Sequence, residues 1–349
     1  MSTPPLNVLL STTLELIERF STTLQSPSNE AVQPASPSPL PLLSASASAL
    51  KAQTTKLSLL AINTPFTPSA IGNVLAAVNE SVLPSLVTGT LLTVPDKFAK
   101  SVSSEASTLS KATLRDFKFL VEAVDTRSRL QGDIPDDEKK SITEAVGRIW
   151  DGCDNLIALG NGGIAGLLVK KALQYQALIQ DAINELEEWE PERKDDDLFS
   201  DAGSDDEQDA DGDLDEEEAA ELKAQKEQSL KVFRRVPQSI HVIIRSRLQK
   251  RFPPEPTTKQ IQNLDRLVSS LETASEAIDE AAGALYEHDV FLAKTYTDKV
   301  KARTIDAVDC VLDPWDECST AEIIETKDDK YIKRARDWIQ TAGSEAKSS

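Results

Sequence analysis

Gly160-Asn161-Gly162-Gly163-Ile164-Ala165 has the spacing of a dinucleotide-binding turn, G-x-G-x-x-A, and Asp181 stands where a ribose-binding acid would follow. In such a turn the glycines let the backbone approach a pyrophosphate at a helix N-terminus. That chemistry needs a strand before the turn and another to deliver the acid. Residues 141–159 read as helix and Asp181 falls within an unbroken helical pattern. The glycines are therefore expected to form a turn between two helices, and no cofactor is expected.

Residues 207–218 match a calcium loop at Gly212, at the apolar Leu214 and at the final Glu218. Glu207 occupies the first position, where Asp is usual, and the residues before it, with Gly203, do not make an entering helix. Loose cation association is expected, not a metal site. His241 and His288 lie far apart in sequence and lack partners at ligand spacing, so neither forms a constellation for metal or acid–base work. Cys153, Cys310 and Cys318 are odd in number and fit no metal template, which favours a reducing compartment over a disulfide framework. Cys153 sits on an apolar helix face and is expected in a core. No nucleophile, base and orienting group converge on any segment, so no catalytic residue is assigned and no enzyme is expected.

The sequence carries a sharper signal for modification. Ser204-Asp205-Asp206-Glu207 is an acid-flanked serine, and Ser200-Asp201 precedes it. Acidophilic kinases pair basic pockets with such downstream carboxylates, so Ser204 and Ser200 are candidate phosphorylation sites. Ser26, Ser36, Ser38, Thr64 and Thr67 each precede proline, without Lys or Arg three residues on. Lys223–Arg251 holds nine cations against one Glu. Its Leu230, Phe233, Ile240, Ile244 and Leu248 keep helical spacing, which predicts a helix with those residues in the core and its cations in water.

The elements that position these residues follow from periodicity. Leu6, Leu9, Leu10, Leu14, Ile17, Phe20 and Leu24 form one helical stripe, ended by Pro27. Further helices are predicted over Leu42–Ile62, over Ser69–Thr93 with a kink near Pro84, and from about Pro95 with Phe117, Leu120, Val121 and Val124 on one side. Asp136–Leu159 follows, with Ile142, Val146, Ile149, Trp150, Cys153 and Ile157 as its apolar face, and then Ile164–Trp189. Later helices are predicted at about 217–250, 257–286, 289–312 and 319–342. No period-2 strand and no repeat of 30–45 residues stands out, so βαβ and solenoid readings fail.

Charge divides the chain. Residues 187–221 carry 19 Asp and Glu against Arg193 and Lys194, a local charge of −17 within a total of −20. Such a band does not bury enough apolar surface to offset its ordering entropy. The expected organisation is an N-terminal helix bundle over 1–190 with a Pro/Ser-rich loop at 26–41, a disordered acidic linker at 191–216, and a C-terminal four-helix bundle over 217–345. The near-neutral remainder argues against nucleic acid, and no run of 18 consecutive apolar residues suggests a membrane span. The N-terminus shows neither a signal nor a transit pattern.

KAQTTKLSLL (51–60), IAGLLVKKALQYQALIQDAINELEEWE (164–190) and NLDRLVSSLETASEAIDEAAGALYE (263–287) resemble the GCIP family, the cyclin-D-binding proteins described as helix–loop–helix-like regulators of the cell cycle. The resemblance spans about residues 40–310 and includes the stretch Ile278–Tyr286. It implies an all-α protein of two antiparallel helix bundles, similar to talin and vinculin bundles. It also implies a non-enzymatic role with cyclin-type or helix–loop–helix partners in cytoplasm and nucleus. No Arg-x-Leu occurs in the chain, so the common short cyclin-docking peptide is absent. Two other readings stand beside it: a cytoskeletal adaptor, and an acidic chaperone that shields a basic client through the 191–216 segment. The residues leave oligomeric state open.

Overall fold

The computed structural model describes residues 4–25, 38–130, 132–190, 216–250, 252–253, 256–313, 315 and 325–343. Among them every regular element is a helix and no strand occurs, as the periodicity predicts. Helices α1 (Leu6–Gln25) and α2 (Pro39–Ile62) match the predicted spans, and α1 buries Leu9, Leu10, Ile17 and Leu24 of the expected stripe. The third predicted helix is interrupted. It consists of α3 (Pro68–Ala77), a π-helical turn over Val78–Val82, and α4 (Leu83–Leu92). Pro84 explains the interruption: it has no N–H, its ring crowds the preceding turn, and a wider π turn accommodates both.

The sequence predicts one helix from Pro95, but Ala99 takes a φ of 70° and separates α5 (Pro95–Phe98) from α6 (Lys100–Arg129). Helix α7 (Asp136–Glu188) breaks inside at Gly163, with φ 60° and ψ −157°. Only glycine populates that region freely. The two helices predicted around the Gly160–Gly163 turn are thus present as the two arms of α7. After the acidic segment come α8 (Glu216–Phe233), α9 (Val236–Ile243) with a π-helical turn over Ile244–Leu248, α10 (Thr258–Tyr286), α11 (Val290–Asp309) and α12 (Lys327–Thr341). The single helix predicted over 217–250 is split at Arg234–Arg235, because Pro237 sits in the first turn of α9.

Packing divides the chain into two units, Met1–Leu167 and Leu168–Ser349. The division falls inside α7. The charge band that motivated a boundary at 190/191 lies, from 191 to 215, outside the described residues. In the first unit α1 packs on α3 and α6, while α2 packs on α3, α4 and α6. Leu50, Leu57, Ile71, Leu75, Leu83, Phe117, Leu120 and Ile149 fill its core. In the second unit α10 and α11 form a helical hairpin, α8 lies on α11, and α12 lies on α9 and α11. By length and composition, Pro68–Leu92 and Asp136–Glu188 each hold a window apolar enough to cross a membrane. In the first of these, Leu75, Val78, Leu83 and Leu86 are fully buried in the core, which accounts for its hydropathy.

Candidate functional site

Two polar side chains of α2, Ser44 and Lys51, fix how it lies against the first arm of α7. Ser44 Oγ donates to Asn161 Oδ1 at 2.9 Å, and Lys51 Nζ donates to both carboxylate oxygens of Asp154 at 2.6 Å. The pairing advances two turns along one helix as it retreats two turns along the other, so the helices run antiparallel. By that register Thr55 comes level with Trp150, and Leu59 lies one turn beyond.

Gly160 makes this seam possible. A Cβ there would stand 2.6 Å from the Leu40 carbonyl oxygen and 2.7 Å from Ser44 Cβ. The glycine-rich turn is therefore a site of close helix approach. No strand flanks it among the described residues, and Asp181 is exposed on the second arm of α7.

The outer edge of the seam carries apolar surface. Leu59 is 55% exposed and Trp150 is 38% exposed, although periodicity places Trp150 on the buried face. The correction has a physical cause: Ile149 and Cys153 already fill the core side, and Trp150 turns toward α2. There Lys51 Nζ lies 5.8 Å from the indole centroid. A half-exposed ion pair such as Lys51–Asp154 contributes at most about 1 kcal/mol, and an exposed cation–π contact about 0.5–1 kcal/mol. Their joint effect is to hold a large aromatic side chain in one orientation at the surface. Exposed, oriented Trp is the residue type most enriched at protein-interaction hot spots.

In the second unit the basic helix region departs from expectation. Leu230, Phe233, Ile240, Ile244 and Leu248 are buried as predicted. Two cations expected in water are buried with them. Lys226 is only 6% exposed; its Nζ donates to the backbone carbonyls of Trp189 and, at 3.2 Å, Glu187. It thereby places a positive charge at the carbonyl end of α7, which a helix dipole favours. Trp189 in turn packs edge-on against Tyr286, with ring centroids 5.1 Å apart. Arg247 is 1% exposed and donates to the Val311 carbonyl at 3.0 Å, the Leu312 carbonyl at 3.3 Å and Asp329 Oδ1 at 2.6 Å. Burial works to raise the Asp329 pKa, but hydrogen bonds from Thr326 and Arg247, with the guanidinium charge, hold it below the ordinary carboxylate value. Sequence spacing missed both cations because their partners, main-chain carbonyls and for Arg247 also the Asp329 carboxylate, are remote in the chain.

The remaining candidates resolve as follows. Burial pushes the Cys153 thiol up to about 12 and the Cys310 thiol up to about 11, so both are core residues and poor nucleophiles. Cys318, Ser200 and Ser204 lie outside the described residues. So does most of the calcium-like loop, whose Glu216, Glu217 and Glu218 form the first turn of α8, where carboxylates suit the helix dipole. His241 is exposed on α9, and His288 takes a φ of 61° at the turn between α10 and α11. Among the described residues no group of three or more His, Cys, Asp or Glu is placed to hold a metal.

No curated protein matches the chain. Residues 42–192 match the family model described as Grap2 and cyclin-D-interacting, N-terminal. That segment contains the whole Lys51–Asp154–Trp150–Leu59 seam, and it ends just beyond Trp189. Over residues 42–192 this all-α chain is similar to the N-terminal domain of the Grap2 and cyclin-D-interacting family, the family its sequence resembles.

Proposed function

We propose that the protein is a non-enzymatic interaction protein that regulates the cell cycle by binding cyclin-D-type or helix–loop–helix partners through a folded helical surface. The match of residues 42–192 to the cyclin-D-interacting family carries this reading. The exposed Trp150–Leu59 strip on the α2–α7 seam supplies a surface of the right kind within that segment. A partner helix lies along this strip, or enters the bundle by parting the seam. The reading extends to two helix bundles joined by a solvated acidic linker, to phosphorylation at Ser204 and Ser200 within that linker, and to a cytoplasmic and nuclear location.

The test is calorimetric titration of the full chain with a D-type cyclin. Trp150→Ala and Leu59→Ser are each expected to weaken binding about tenfold or more, equivalent to about 1.4 kcal/mol, with helicity unchanged. Peptides 26–41 and 191–216 are expected not to reproduce the affinity of the whole chain. Unchanged affinity in both variants, or full affinity in either peptide, would overturn the surface assignment.

A further inference from the structure

Between α9 and α12 lies a cleft of about 380 Å³. Ser239, Val242 and Ala335 form its floor, and Tyr331 and Trp338 stand over it two turns apart on α12. Ala335 is the small residue between the two aromatics, and it leaves the gap open.

Charge along the cleft has one sign. Arg334 is part of its wall, the Arg235 guanidinium lies 5.1 Å from the Trp338 ring centroid, and Lys327 Nζ lies 5.6 Å from that of Tyr331. Among the described residues no carboxylate lines it, and Arg334 has no ion-pair partner. An occupant must therefore bring large apolar side chains for the floor and carboxylates for the rim.

One segment of the chain has that chemistry at short range. Asp195-Asp196-Asp197-Leu198-Phe199-Ser200-Asp201 contains the one adjacent pair of large apolar residues between 191 and 215, set among aspartates. Its attachment point is close. Glu187 Oε1 accepts a hydrogen bond from Arg234 Nε at 2.7 Å, and the next residue, Arg235, covers Trp338. Leu198 follows Glu190 by eight residues, a reach of roughly 26 Å when extended. We propose that Leu198 and Phe199, with their flanking aspartates, dock in the α9–α12 cleft of the same molecule. Covalent attachment gives the segment an effective concentration on the order of millimolar, so it screens the cleft from acidic competitors in solution.

The test uses the full chain and a fluorescein-labelled peptide of residues 193–203 at low salt. The Leu198→Ala/Phe199→Ala chain is expected to bind this peptide at least tenfold more tightly than the natural chain, whose own copy occupies the cleft. Adding Arg334→Glu or Trp338→Ala to that background is expected to weaken binding at least fivefold, with thermal unfolding showing that each variant is folded. Binding is also expected to fall between about 50 and 200 mM salt, as exposed charges are screened. Equal binding to both chains would overturn intramolecular occupancy and leave the cleft to an acidic partner in trans. No binding to either chain, or no effect of both cleft substitutions, would overturn the site itself.

Discussion

Replacing Asp329 with Ala tests whether a buried clasp organises the second unit. Arg247 joins the carbonyl end of α11, through Val311 and Leu312, to the start of α12, through Asp329. Asp329 also completes a capping box with Thr326. Removing the carboxylate leaves a guanidinium 1% exposed with no countercharge. Breaking such a buried pair costs about 3–5 kcal/mol, and losing the cap adds about 1 kcal/mol. For a unit of this size each kcal/mol lowers Tm by about 2–4 °C, so a fall of about 8–24 °C is expected by calorimetry. A double-mutant cycle of Arg247→Met and Asp329→Leu is expected to give a coupling energy of about 2 kcal/mol.

The same clasp sets an acid limit. The folded carboxylate titrates below its unfolded value near 4, so its contribution is complete above that value and is lost as pH falls through the lower folded one. The Asp329→Ala chain should therefore converge on the natural chain in strong acid. A Tm loss equivalent to less than about 1 kcal/mol at pH 7, or additive single effects in the cycle, would refute the clasp.

Four further outcomes follow from particular contacts, each read by thermal unfolding. Gly160→Ala is expected to destabilise the first unit by about 1–3 kcal/mol, because the new Cβ meets backbone at Leu40. Gly163→Ala is expected to cost a similar amount through its positive φ alone, since its Cβ would have room; no loss in either would contradict the described turn. Thr54→Val is expected to stabilise by about 1 kcal/mol, because Thr54 Oγ1 is buried without a protein hydrogen-bond partner, and a loss would show that the hydroxyl is satisfied. Desolvation at the α10 surface, with Glu185, Glu280 and Glu276 nearby, raises the pKa of the exposed Asp279, so the ionised group opposes folding as pH rises through its folded value. Asp279→Asn should raise Tm at pH 7 and give no gain near pH 3; a fall at pH 7 would reverse the assigned sign.

Helix order was legible because proline and glycine punctuate it. Pro39, Pro68, Pro84, Pro95 and Pro237 each stand at or beside a helix boundary or π turn, and Gly163 breaks α7 where the glycine run predicts a turn. The core stripes of α1, α6 and α8–α9 were legible for the same local reason, since period 3.6 is written in the residues. The site was less so. Trp150 follows Ile149 on the apolar edge of its helix, and only the register set by Ser44 and Lys51 shows that it faces outward. Lys226 and Arg247 look like solvated cations in sequence. Their burial depends on carbonyls at the ends of α7 and α11, which tertiary packing alone brings near. Gly160 reads as a phosphate turn by spacing, whereas its actual constraint is the backbone of α2.

Hydrogen–deuterium exchange of the full chain, with and without a saturating D-type cyclin, tests most directly whether a folded surface in residues 42–192 binds the partner. Protection is expected over 51–62 and 147–158, on both sides of the Lys51–Asp154 seam, if a helix docks along it. If instead the seam parts to admit a partner helix, the same two stretches should exchange faster and the rest of the first unit should stay unchanged. Absence of a complex, or changes confined to 191–215, would contradict the account.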